Sequence, residues 1–296
     1  MADIIDEYSH CMLCERRCGV DRVKGQIGFC SSSHVPHITR AALHQWEEPI
    51  ISGTNGSGTV FFSGCSLRCV FCQNREISRT EAGHGVSVDE LAEIMLKLER
   101  EGAHNINFVT PTHHAPAVAL STDIARERGL KIPIVYNTGS YDSISTLGML
   151  EGRVNIYLPD LKYFRNNTAH KLSCAADYPE VARIAIDEMV RQRPHPIITD
   201  GIMTEGVIVR ILLLPSHLAE AKLSLKYLHE KYGNNIYISL MSQYTPMSGM
   251  APPLDRRTTR AEYNELVNYA ERLGVVNAFI QDGSSAGAEY IPDWII

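Results

Sequence analysis

Residues 59–72 read Thr59-Val-Phe-Phe-Ser-Gly-Cys65-Ser-Leu-Arg-Cys69-Val-Phe-Cys72: a short apolar run, a glycine, then three cysteines separated by three and by two residues. The run Thr59 to Ser63 has the length and the β-branched and aromatic content of a buried strand. Three sulfurs on the one short loop behind it can converge on one face. Ligands of parallel α/β proteins collect where strands end, so the stretch predicts a sheet and the position of its site together.

Working outward, six further apolar runs have the same character: Asn105 to Val109, Ile132 to Tyr136, Val154 to Leu158, Val207 to Leu214, Ile236 to Leu240 and Val276 to Ile280. Amphipathic stretches lie between them. Ser87 and Glu90 form a capping box ahead of Leu91, Ile94, Met95 and Leu98, whose spacing of three and four makes one apolar stripe on a helix. Thr259 and Glu262 repeat that signal ahead of Leu266, Val267, Ala270 and Leu273. Further helices are predicted over Ala115 to Arg128, Tyr141 to Leu150, Ala176 to Arg191 and His217 to Lys231. Strand and helix in alternation require parallel pairing with right-handed crossovers. The fold class predicted is α/β, a partial (β/α)6-type parallel barrel with a cysteine-rich N-terminal extension; an open doubly wound sheet is the competitor. Residues 1–55 are expected to form the metal-binding extension and 56–296 the barrel. Residues 52–58 (SGTNGSG) read as a turn and Pro252-Pro253 as a loop, and there is no internal repeat or low-complexity tract.

Of 296 residues, 44% are hydrophobic and 21% charged, and no apolar run approaches the roughly 18 residues of a membrane span. The formal net charge of −6 gives no general attraction to nucleic acid or anionic lipid, so neither a nucleic-acid partner nor a membrane is expected. The start MADIIDEYSH is acidic and lacks the basic and apolar parts of a secretory signal, which predicts a cytoplasmic protein. In that reducing compartment eight cysteines, seven of them before residue 73, point to metal rather than disulfides. Cys174 stands apart and is expected to be a half-buried small apolar residue.

Iron–sulfur clusters usually take four thiolates, so Cys65, Cys69 and Cys72 leave one iron of a 4Fe-4S cube without a protein ligand. Alternatives are a zinc site completed by a remote Cys or His, and a plain electron-transfer cluster with Cys174 as fourth ligand. The C-x3-C-x2-C motif, with aromatic Phe71 before its last cysteine, resembles that of the radical S-adenosylmethionine (SAM) superfamily. Within it the chain most resembles the subgroup related to pyruvate formate-lyase activating enzyme, from about Thr59 to Phe279 in the order of its elements. The resemblance implies a 4Fe-4S cluster whose open iron is chelated by SAM, reductive cleavage of SAM to a 5′-deoxyadenosyl radical, and hydrogen abstraction from a substrate. It also implies an electron donor such as flavodoxin or ferredoxin. The substrate is either a glycyl radical enzyme, a protein substrate, or another peptide or small molecule. A different class of answer is a non-catalytic iron–sulfur electron carrier or a zinc-bearing interaction module.

Relatives usually carry a Gly-Gly-Glu-like turn after the second strand to hold the SAM amine. Here the segment is Asn107-Phe-Val-Thr110-Pro111-Thr112-His113-His114, without those residues; Thr110 and Thr112 have oxygens that can accept the amine's hydrogen bonds. His113 and His114 are expected to face solvent or the cavity, with a shared ligand role as the alternative. After the third strand, Asn137, Thr138 and Ser140 resemble a ribose- or carboxylate-contacting segment, and Ser140 or Thr138 can also cap the helix at Tyr141. Leu158-Pro-Asp160-Leu-Lys162 resembles the Asp-Leu-Lys turn of the activating enzymes, where Asp160 and Lys162 meet SAM or substrate, or pair with each other or with Arg210. Arg210 interrupts an apolar run, facing either an anion such as the SAM carboxylate or an outward salt bridge. Gln243, Tyr244 and Met247 suit substrate or adenine walls, Tyr244 and Met247 equally the core; Gln281-Asp282-Gly-Ser284-Ser285 is a further rim loop.

Cys11, Cys14, Cys18 and Cys30 form a second four-thiolate set with gaps of two, three and eleven residues. It predicts a second metal site. Zinc would stabilise a segment with few apolar residues, and a second iron–sulfur cluster would relay electrons inward. Free thiols, or a site that closes on partner binding, are the alternative.

Overall fold

The computed structural model describes residues 2–281, and side chains from residue 6 onward. Its strands are β1 (His37–His44), β2 (Ser57–Phe62), β3 (His84–Gly85), β4 (Ile106–Val109), β5 (Ile134–Thr138), β6 (Ile156–Pro159), β7 (Ile197–Thr199), β8 (Ile202–Leu212), β9 (Tyr237–Met241) and β10 (Ala278–Ile280). They lie in the order β10-β9-β8-β6-β5-β4-β2-β1-β3, with β7 beside β8. Every neighbouring pair from β2 to β10 along that path is parallel. The path does not close on itself, so the protein is a partial barrel, in the class the sequence predicts.

The helices are α1 (Ala2–Ser9), α2 (Pro49–Ser52), α3 (Arg75–Ser78), α4 (Val88–Arg100), α5 (Ala115–Glu127), α6 (Ile144–Leu150), α7 (Asn166–Ser173), α8 (Tyr178–Gln192), α9 (Leu218–Tyr232) and α10 (Arg260–Leu273). Both capping boxes form, Ser87 with Glu90 on α4 and Thr259 with Glu262 on α10. α6 starts later than predicted: Ser143 caps it by accepting from Thr146 N, and neither Thr138 nor Ser140 does. The Thr138 hydroxyl is turned instead to Asp142, to which it donates at 2.6 Å.

Strand residues alternate between two apolar layers. Ile134, Tyr136, Tyr157, Val207 and Val209 join the helices in the larger core, while Val135, Ile156, Leu158 and Ile208 face the barrel interior. There they meet Ile51 of α2, which corks the bore and whose carbonyl accepts from Asn105 Nδ2 at 2.7 Å.

The sequence does not announce β1. HITRAALH lacks regular alternation, and its residues are held by antiparallel pairing with β2 and β3. The cysteine-rich segment before it packs on the loops at the strand ends. Leu13 O accepts from Ser143 N and the Thr146 hydroxyl, Glu15 N donates to Tyr141 O, and the fully buried Arg22 donates to the His113 and Ser33 carbonyls. Among the described residues no helix is long and apolar enough to cross a membrane.

Candidate active site

Gly64 links β2 to the first cysteine of the loop with φ +81, and a Cβ there would stand 2.1 Å from Ser32 Oγ and 2.7 Å from the Cys30 carbonyl oxygen. Only glycine fits that turn without moving its neighbours. Next to it, Cys65 N donates to Cys30 O at 3.2 Å. The loop then docks on the end of α7, where Arg68 N reaches Ser173 O (3.3 Å) and Val70 N reaches Leu172 O (2.9 Å).

Cys65, Cys69 and Cys72 line one wall of a cavity of about 830 Å³. Hydrogen bonds aim at two of the sulfurs: Leu67 N donates to Cys65 Sγ (3.4 Å) and the Ser173 hydroxyl to Cys69 Sγ (2.9 Å). Burial pushes the Cys65 thiol up to about 12, helped by Cys69 and Cys72. Burial also raises Cys69, against the opposing charge of Lys162. Thiols held so high keep their protons until a metal cation binds the sulfur and displaces them to solvent. Among the described residues no group of three or more His, Cys, Asp or Glu side chains is gathered tightly enough to hold one metal ion. An iron–sulfur cube asks for another arrangement, each thiolate on its own iron, and three cysteines on one wall, two of them with an N–H or O–H donor at the sulfur, fit it.

A chain of charges leads away from the cysteines along the cavity wall. Lys162 Nζ lies 2.5 Å from Asp160 Oδ2, and Arg210 Nε 2.8 Å from Asp160 Oδ1. Arg210 Nη2 donates to Asn137 Oδ1 (2.6 Å), and Nη1 lies 3.7 Å from Glu47 Oε2. Burial opposes the charge on Asp160, but Arg210 and Lys162 outweigh it and hold the carboxyl below its ordinary range. Lys162 is likewise held charged by Asp160 and Cys69 against its own burial. Thus Asn137, Asp160, Lys162 and Arg210 come together, with Arg210 turned inward and paired to protein acids.

Glu47 and Glu48, which complete this wall, are absent from the sequence expectations. The signal available was a pair of acids directly before Pro49, far from any predicted strand end. Burial pushes Glu48 up to about 7.

Thr110, Thr138 and Gln243 also line the cavity, whereas Thr112 and Ser140 are buried outside its lining. Thr112 and Thr138 share a hydroxyl contact of 3.2 Å, and Ser140 N donates to Thr138 Oγ1. His113 and His114 differ from expectation: both are fully buried and neither lines the cavity. Arg22 and Tyr8 close over them, with His113 Nε2 2.7 Å from Ser63 O and His114 without a hydrogen-bond partner. Cys174 is exposed rather than half-buried, because it ends α7 in the left-handed conformation (φ 52). Tyr244 lines the cavity; Met247 does not, and meets Arg75 instead. Gln281 lines it too, while Asp282, Ser284 and Ser285 lie outside the described residues. Cys11, Cys14 and Cys30 are buried, Cys18 is exposed, and all four are free thiols. Burial first, then Cys30, Cys11 and Cys18, raise the Cys14 thiol far above its ordinary value.

A family model described as the Radical SAM superfamily matches residues 59–204. An uncharacterized protein of Methanocaldococcus jannaschii is 30% identical over 279 residues, which cover 90% of this chain and 76% of that one. Streptococcus suis SuiB bound to S-adenosylmethionine is similar in structure with a TM-score of 0.51 at 13% identity, over 74% of this chain and 48% of that one. The FeFe-hydrogenase maturase HydG from Carboxydothermus hydrogenoformans gives a TM-score of 0.51 at 13% identity, over 75% and 50%. The chain spans about half the length of these two structures, and at that identity the likeness is one of fold.

Proposed function

The chain belongs to the radical SAM superfamily and is an enzyme of it, and we propose that it reductively cleaves SAM and abstracts hydrogen from a peptide or small molecule held in the barrel. The observation that carries this reading is the placement of Cys65, Cys69 and Cys72 on the wall of one cavity with Asp160, Lys162 and Arg210. When bound at those cysteines, a 4Fe-4S cluster supplies the electron that splits SAM into methionine and a 5′-deoxyadenosyl radical. Lys162, the cation nearest the cysteines, offers further donors for the SAM carboxylate, and Asp160, Asn137 and Thr110 offer acceptors for its amine and ribose. Arg210 holds Asp160 and Asn137 in place. Leu67, Phe71 and Tyr244 supply the apolar wall that keeps water from the reacting carbon. A cavity of about 830 Å³ sits high in the range of about 300–1,000 Å³ for small-molecule sites, with room for SAM and part of a second molecule. The reading includes a one-electron donor of the flavodoxin or ferredoxin kind, and a glycyl radical enzyme as one peptide substrate.

Anaerobic reconstitution with iron and sulfide, reduction, and assay for 5′-deoxyadenosine test the proposal. Wild-type enzyme forms it and Cys69→Ser does not; a fully loaded wild-type cluster that leaves SAM intact overturns the reading. The same proposal extends to Cys11, Cys14, Cys18 and Cys30 as a second centre, supported by the burial of Cys11, Cys14 and Cys30 in one segment, whose thiols must draw closer to share a metal. Metal analysis of a variant with Cys65, Cys69 and Cys72 all changed to Ala separates zinc from iron there, and a metal-free variant overturns the second centre.

A further inference from the structure

Glu48 is the acid that the rest of the cavity leaves unmatched. Among the described residues three carboxylates line the wall, Glu47, Glu48 and Asp160, against two cations, Lys162 and Arg210. Both cations are already ion-paired with other acids, Lys162 with Asp160, and Arg210 with Asp160 and Glu47. His44, also on the wall, is kept neutral by burial. Glu48 has no ion pair among the described residues, although it is only 7% exposed; the Arg210 charge and the Ser239 hydroxyl near it offset its burial only in part.

Its place matters as much as its charge. Lys162 is the cation whose field reaches Cys69. From there the ion pairs run through Asp160 to Arg210 and Glu47, so Glu48 lies at the end of the chain remote from the cysteines. The amino and carboxylate groups of SAM belong at the cysteine end. The remote end is left to the second molecule, and Phe279, which packs on the apolar cluster around Ile51, gives it an apolar wall. A buried carboxylate facing such a space gains most from a cation, because the pairing restores the stabilisation that burial removed.

We propose that Glu48 recognises a positively charged group on the hydrogen-donating substrate, a primary ammonium or guanidinium carried on an aliphatic stem as in a lysine or arginine side chain. This rests on the proposed function and narrows its substrate class. Burial already sets Glu48 to take up a proton near pH 7, and a substrate cation draws it to the charged form. Glu47 beside it, Arg210 on β8 and Asp160 after β6 are the charged groups that face it; Arg210 and Asp160 are each held in their charged forms.

The test uses cluster-loaded enzyme with SAM and two probes, Nα-acetyl-lysine methylamide and its neutral isostere Nα-acetyl-norleucine methylamide, with binding read by ligand-observed NMR. At about pH 8 the lysine probe binds roughly tenfold tighter, and the preference shrinks toward about pH 6 as Glu48 is protonated. Glu48→Gln, nearly isosteric, erases the preference, and Glu48→Ala does the same. Equal binding of the two probes by wild-type enzyme, or a preference that survives in Glu48→Gln, overturns the inference. Loss of SAM affinity in Glu48→Gln also overturns it, by assigning the residue to the cosubstrate. Formation of 5′-deoxyadenosine by the same wild-type sample is read in parallel: its absence sinks the proposed function, whereas equal probe binding in its presence sinks this inference alone.

Discussion

Arg210 holds three acceptors from one guanidinium, reaching Asp160, Asn137 and Glu47 from the inner face of β8. Its methylene stem could be matched by another side chain, but its charge could not. Arg210→Met leaves Glu47 without a cation and Asp160 with Lys162 alone, and removing one partner of a buried pair costs about 3–5 kcal/mol. Urea denaturation of the apoprotein should show a loss of that size; one under about 1 kcal/mol would mean that the wall tolerates its uncompensated acids. Residues of this kind were unevenly legible in the sequence. An arginine inside an apolar run and an Asp-Leu-Lys turn after a strand stand out, because a charge at those addresses needs a reason. Glu47 and Glu48 do not, because two acids before a proline read as solvated helix-start chemistry, and only the cork that α2 forms turns them into the bore.

At the scale of elements, the turn at Gly64 joins β2 to the cysteine loop and touches Ser32, Cys30 and His113 at once. Gly64→Ala combines a positive φ with contacts that backbone atoms cannot yield, so the loop itself must shift. The variant should load less than half of the wild-type iron at the central cysteines, roughly, and melt earlier, by iron analysis and thermal denaturation; full loading would show that the loop adapts. Ser87→Ala removes the acceptor for Glu90 N at the start of α4 and should cost about 1 kcal/mol by urea denaturation, far from the cavity and without effect on cluster loading. Such caps were legible because their chemistry is local. The seven strands were legible for a similar reason, each a short apolar run with its own boundaries, although the last run forms an edge strand, β10, with Val276 and Ile280 exposed rather than buried. β1 was not, since its placement depends on β2 and β3, which pair with it across the chain.

For the whole molecule, the buried histidines set an acid limit. Burial, reinforced by Arg22, lowers His113 to about 3, and burial drives His114 well below its ordinary value of 6.5. Folded-state values below the unfolded one mean that the unfolded chain binds more protons, so stability is whole above about pH 6.5 and drains as pH falls below it. The slope reaches about 1.4 kcal/mol per pH unit for each histidine. His114→Phe, in a pocket already shared with Phe62 and Tyr8, should shift the acid-unfolding midpoint downward in a circular-dichroism titration; an unmoved midpoint would place the acid lability elsewhere.

The cork has a consequence in time. Ile51 is synthesised before the first parallel strand, but the wall it seats against includes Met203 and Ile208, some 150 residues later in the chain. A nascent chain therefore carries its stopper finished and its bottle half blown. Until β8 has left the ribosome, Ile51 and the inner faces of β5 and β6 remain open to any other apolar surface, and that interval is when the growing chain is most exposed to aggregation.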